Sequence, residues 1–137
     1  QLPVKVLAKR PDETLAHIER WLASGHCYTI RFAMGVLMRL YLDELFDERF
    51  LAMVASTRMP DTPESPASED DIYYVDMMRA WYFAEALAKQ EAATLPYLER
   101  QDDEAPLDEW TRRKAIQKAI ESRRISDAMK EHLRTLR

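Results

Sequence analysis

Apolar residues recur every three or four positions along most of this chain, and proline, glycine and acidic clusters separate the segments that show the period. Between Asp12 and Ala23, Leu15, Ile18, Trp21 and Leu22 fall on one side of a helix, and Gly25 follows where a left-handed residue closes the last turn. Val4 to Arg10 reads as the end of an earlier helix, cut by Pro11. Tyr28 to Leu45 is apolar almost all round, through Ile30, Phe32, Met34, Val36, Leu37, Leu40 and Tyr41, which predicts a helix sandwiched between others. Gly35 in its middle costs stability relative to alanine and predicts a closely packed neighbour.

Asp47 stands where it would cap a helix running to about Arg58, with Phe50, Leu51 and Val54 inward. The segment 59–71 carries Pro60, Pro63 and Pro66 among Ser, Thr, Asp and Glu, and reads as a mobile acidic loop. Ile72 to Gln90 is a long helix rich in aromatics. Glu91 to Gln101 is a shorter one, in which Pro96 is expected in the first turn or at the start. Asp108 and Ser126 are expected to cap the last two helices. The first runs to Arg123 with Trp110, Ile116, Ala119 and Ile120 inward, and the second buries Met129, Leu133 and Leu136. No segment alternates as a strand does.

The helices come as a short one followed by a longer one. Ala33, Ala80 and Ala115 take similar places in the longer members, 47 and 35 residues apart, which brackets the period of about 40–47 residues of HEAT-type repeats. Such pairs stack into an array lined on its inner surface by the second helix of each pair. Those helices carry Arg31, Arg79, Arg112, Arg113, Lys114 and Lys118, so the expected fold is a small all-α stack with a basic concave stripe.

Composition narrows the chemistry. A chain of 137 residues, 47% hydrophobic and 32% charged, reads as one soluble globular domain over 1–137. With 2 glycines, no phosphate-cradling glycine motif is possible. The single cysteine, Cys27, excludes an internal disulfide and a thiolate zinc site and fits a cytoplasmic protein. No apolar run approaches the roughly 18 residues of a membrane span, and no signal peptide opens the chain. The net charge of −4 is segregated: ten acidic residues face two arginines between Asp43 and Asp76, whereas Arg112 to Arg137 carries a net +6.

No catalytic or metal-binding constellation emerges from the spacing. His17, His26 and His132 lie on different elements and read as surface or capping residues. Cys27 beside His26 lacks an orienting third group, and the carboxylates from Asp43 to Glu48 read as a solvated turn. Neither metal nor cofactor is expected. The run Met77-Met78-Arg79-Ala80-Trp81-Tyr82-Phe83 is more informative, because aromatics beside arginine suit a groove that packs on sugars and bases and pairs with phosphates. By periodicity alone Trp81 falls on a core stripe with Tyr74 and Met78.

Ile30-Arg31-Phe32-Ala33-Met34-Gly35-Val36-Leu37-Met38, Tyr73-Tyr74-Val75-Asp76-Met77-Met78-Arg79-Ala80-Trp81 and Lys114-Ala115-Ile116-Gln117-Lys118-Ala119-Ile120-Glu121-Ser122 together resemble the AlkD-like DNA alkylation-repair family, and Trp21-Leu22-Ala23-Ser24 fits it too. The resemblance runs from about residue 4 to the end and implies a superhelix of HEAT-like repeats cradling duplex DNA. It also implies excision of cationic N3- and N7-alkylated purines. Arg31 matches the family's backbone-binding arginine, Trp81 its tryptophan, and Tyr73 and Tyr74 an aromatic pair near the same groove, which turns Trp81 from core to groove. Arg79, Arg113, Lys114 and Lys118 are expected to add electrostatic support.

The family's catalytic Trp-x-x-x-Asp would fall just before Gln1, so the chain is expected to be the C-terminal, DNA-binding part of a larger superhelical domain, inactive alone. The run Ala115-Ile116-Gln117-Lys118-Ala119-Ile120-Glu121-Ser122 resembles the family's shorter, bacterial branch. The alternative is a non-catalytic helical-repeat module that binds DNA structure or a protein partner. An end left open by absent repeats is expected to favour self-association.

Overall fold

The computed structural model describes residues 11–137, so the helix expected over Val4 to Arg10 lies outside the described residues. Among the described residues there are seven helices and no strand: α1 (Pro11–Leu22), α2 (Cys27–Leu40), α3 (Arg49–Ser56), α4 (Glu69–Lys89), α5 (Glu91–Glu99), α6 (Glu109–Glu121) and α7 (Asp127–Leu136). The longer helices α2, α4 and α6 pack side by side in that order. The shorter helices back them, α1 on α2, α3 on α4, α5 on both α4 and α6, and α7 on α6. The result is the all-α stack of short and long helices that the spacing predicts.

Between the two layers lies a core built from Ile18, Ile30, Met34, Leu37, Phe50, Val54, Phe83, Leu87, Leu98, Ile116 and Leu133, all buried. The expected caps Asp108 and Ser126 are in place, but at the start of α3 Glu48 takes the cap position expected for Asp47, whose carboxylate accepts from the Arg49 N–H at 3.0 Å. Gly25 closes the α1–α2 turn at φ 75°, and a side chain there would meet Pro60 at 3.5 Å. Ser68, Asp108 and Ser126 accept from the backbone N–H groups of Asp71, Thr111 and Met129 at the starts of α4, α6 and α7.

The helices depart from the expected spans at several points. Helix α2 stops at Leu40, not Leu45, because Tyr41 and Leu42 turn back into the core. There the Leu42 carbonyl accepts from Gln90 Nε2 at 2.9 Å. Helix α4 starts at Glu69, so Glu69, Asp70 and Asp71 form its first turn rather than the end of the loop. Carboxylates there complement the positive end of the helix dipole. The remaining loop closes on itself, with Thr62 and Ser65 exchanging backbone hydrogen bonds and Asp61 accepting from the Ala67 N–H. Pro96 lies within α5 rather than in its first turn, although it has no N–H to give to the preceding turn.

Two arginines tie the layers together. Arg79 is fully buried and reaches the Val54 and Ala55 carbonyls at the end of α3, together with Asp76, Asp108 and Thr111. Arg112 is equally buried and reaches the Leu98 carbonyl at the end of α5, the Leu136 carbonyl of α7 and both oxygens of Glu109. Each arginine therefore donates to carbonyls at the end of the preceding short helix, of which that of Val54 also accepts from the Thr57 N–H. Each also pairs with a carboxylate three residues before it, Asp76 for Arg79 and Glu109 for Arg112.

Candidate nucleic-acid interface

The buried arginines fix which way α4 and α6 face. A helix turns about 100° per residue, so Trp81 lies some 160° from Arg79, and Trp110 the same angle from Arg112. Both tryptophans consequently point away from the short-helix layer, at 46% and 42% exposure. For Trp110 this corrects the inward position expected from the sequence. For Trp81 it overturns the core stripe given by periodicity and gives the groove position. Arg79, expected to support DNA binding, is withdrawn from the surface altogether. Arg112, expected on the basic stripe, is withdrawn with it. All the donor directions that a phosphate would need are already aimed at protein oxygens.

The residues that remain form one continuous face across α2, α4 and α6. Arg31 lays its guanidinium over the Tyr74 ring, 5.2 Å from the centroid. Tyr74 meets Tyr73 edge to face at 5.6 Å, and Tyr73 meets Trp110 at 5.8 Å. Lys114 Nζ stands over Trp110 at 5.6 Å. A row of three aromatic rings, with a cation over each end, thus crosses the three long helices. Among the described residues Arg31 has no hydrogen-bond acceptor or ion-pair partner, and its Nε is buried without one. The buried Nε is closed to a ligand, so it is the terminal nitrogens of Arg31 that are left to meet an incoming anion.

Below the row are two clefts that share Trp81. The cleft between α2 and α4, about 370 Å³, is lined by Tyr28, Arg31, Gly35, Arg39, Met78 and Trp81, among others, with no carboxylate. Gly35 lines it too, and an added Cβ would meet only Met78 at an ordinary 3.8 Å, so the closely packed neighbour expected there is absent among the described residues. The cleft between α4 and α6, about 290 Å³, is lined by Trp81, Ala84, Glu85, Lys118, Glu121 and Ser122. Glu85 there is paired with Arg124 at 2.9 Å. Lys114 and Lys118 lie on the face. Arg113 lies at its margin, bonded to Glu109 at 2.7 Å.

The other polar residues weighed from the sequence form no reactive group. His17 stacks on Trp21, and His132 contacts Glu99 at 2.8 Å. Cys27 is buried, its Sγ turned towards the Asp71 carbonyl at 3.9 Å. Burial pushes its thiol up from the ordinary value, and Asp71 adds to the rise, which disfavours the thiolate. Among the described residues no three His, Cys, Asp or Glu side chains converge as metal ligands would. No helix among them is long and apolar enough to cross a membrane.

Tyr28, Arg39 and Trp110 belong to this face and escaped the sequence reading. The usable signal was the repeated spacing Asp76–Arg79 and Glu109–Arg112, which marks the inward side of α4 and α6 and leaves Trp81 and Trp110 outward. Comparison of the chain with family models, with curated proteins and with solved structures returns no match.

Proposed function

We propose that this chain is a DNA-binding helical-repeat unit of the alkylation-repair kind, engaging duplex DNA around a damaged nucleotide through the face of α2, α4 and α6. The observation that carries the reading is Arg31. It is held against Tyr74 at the mouth of a carboxylate-free cleft, with its donors uncommitted. Arg39, Lys114 and Lys118 add positive charge within reach of a phosphate backbone. The aromatic row offers electron-rich faces, which attract a cationic alkylated purine more strongly than a neutral base. The resemblance of the three quoted segments to the alkylation-repair family supports the same reading.

Excision of an alkylated base requires stabilisation of positive charge developing on the sugar, which a carboxylate in the groove would supply. Among the described residues the cleft beside Arg31 has none, and of the two carboxylates in the adjoining cleft Glu85 is paired with Arg124, which supports binding without cleavage by this chain. Release of 7-methylguanine from alkylated DNA by the purified chain would contradict that part. The binding part is tested by anisotropy on a duplex holding an abasic-site analogue, titrated with salt, for the wild type and Arg31→Ala. Affinity should fall steeply with salt and drop by about tenfold or more in the variant, the loss expected for a charge-assisted contact of about 1.5–3 kcal/mol. Binding indifferent to both salt and Arg31 would send the face to a protein partner instead.

A further inference from the structure

The aromatic content of this face is out of proportion to its charge. Tyr28, Tyr73, Tyr74, Trp81 and Trp110 stand 82%, 48%, 48%, 46% and 42% exposed on α2, α4 and α6. Other large aromatics, Tyr41 after α2, Phe50 on α3, and Tyr82 and Phe83 on α4, are covered, so the protein has the means to bury such rings. Exposed rings gathered on one side mark a contact surface. The cations beside them are Arg31, Arg39, Lys114 and Lys118. Glu85 and Glu121 interrupt them, and Glu69, Asp70 and Asp71 form the turn leading to Tyr73.

Continuous duplex DNA shows a protein two rows of phosphates and keeps its base faces stacked, so it rewards cations and leaves aromatic faces unused. An unpaired strand exposes one phosphate row and a π-face on every base, and stacking on aromatic side chains contributes about 1–3 kcal/mol per base. We infer that this face selects DNA in its unpaired form, taking single-stranded segments onto the Tyr74–Tyr73–Trp110 row and Trp81 in preference to continuous duplex. The inference rests on the DNA reading above and specifies the strand state that the surface holds. Arg31 and Lys114, over the two ends of the row, serve the single phosphate chain that such a ligand carries.

The test compares a labelled 12-nucleotide mixed-sequence single strand, its blunt duplex, and a sugar–phosphate oligomer of the same length without bases. Anisotropy should show the single strand binding at least fivefold more tightly than either of the others. Tryptophan emission should be quenched on binding, with the quenching lost in the Trp81→Phe, Trp110→Phe double variant. Trp110→Ala and Tyr73→Ala should each weaken single-strand binding about fivefold or more, the lower end of one stacking contact. Both positions are exposed, so unchanged far-UV circular dichroism is expected and keeps the comparison meaningful. Duplex binding as tight as or tighter than the single strand, without quenching, would overturn the inference and leave the DNA reading standing. Binding to neither, with the abasic-site duplex still bound, would overturn the inference alone; binding to none of these three DNAs would overturn both.

Discussion

Arg79 reaches five acceptors from inside the protein, while Arg31 rests its guanidinium on a tyrosine ring with no acceptor, although both stand on long helices of the stack. The two are expected to respond oppositely to truncation. Arg79→Ala removes the buried donor shared by Asp76, Asp108, Thr111 and two helix-end carbonyls, leaving the carboxylates to the half-exposed Arg58 and, for Asp108, Thr111, and should cost about 3–5 kcal/mol in urea unfolding. Arg31→Ala removes nothing the fold depends on and should stay within about 1 kcal/mol of the wild type. An Arg31→Ala protein that unfolds would show a structural arginine and remove the central residue of the site. Composition placed both arginines on one stripe, because residue type alone does not report which side of a helix is covered. The i,i+3 carboxylate partners of Arg79 and Arg112 do report it.

At the scale of the element, the start of α6 concentrates the acid sensitivity of the fold. Burial works to raise the Asp108 carboxyl, but hydrogen bonds and charge from Arg79, with the Thr111 bonds, hold it below the ordinary value. Hydrogen bonds from Arg112 and Arg113 bring Glu109 from 4.5 to about 2. Both groups have folded pKa values below their unfolded ones, so their stabilisation is complete above the usual carboxylate range and disappears as pH falls through the folded values. The urea midpoint should therefore be flat from neutral pH down to about 5 and then decline towards pH 2, with part of the decline removed in Glu109→Gln. Glu109 is half exposed, so solvent screening keeps its share small, and Asp108 should dominate.

Helix α2 allows a test of opposite sign. Gly35→Ala places its Cβ 3.8 Å from Met78, an ordinary contact, and should gain up to about 1 kcal/mol of helix propensity. Ser68→Ala removes the cap of α4 and should lose about 1 kcal/mol. The helix starts at Asp108 and Ser126 were legible because a capping side chain is a local event, written within three residues. The end of α2 and the interior Pro96 of α5 were not, since both depend on packing from elsewhere in the chain. Tyr41 and Leu42 leave the helix to enter the core, which no window of the local pattern reports.

For the whole molecule, the order of the long helices matters more than the net charge. Stacking α2, α4 and α6 side by side brings Arg31, Trp81 and Lys118 onto one face although 87 residues separate the first from the last. The alternation of short and long helices made that assembly legible in the sequence. The aromatic row was only half legible, since Tyr73 and Tyr74 stood out and Trp110 was assigned to the core. The most direct test of the DNA-binding face is a titration of the 15N-labelled chain with the abasic-site duplex, followed by backbone amide shifts. The account predicts that the largest changes fall at Tyr28 to Arg39, Tyr73 to Trp81 and Trp110 to Lys118, with α1 and α3 unmoved. Changes centred on α1, α3 or α5, with the Arg31–Trp81 cleft silent, would contradict it.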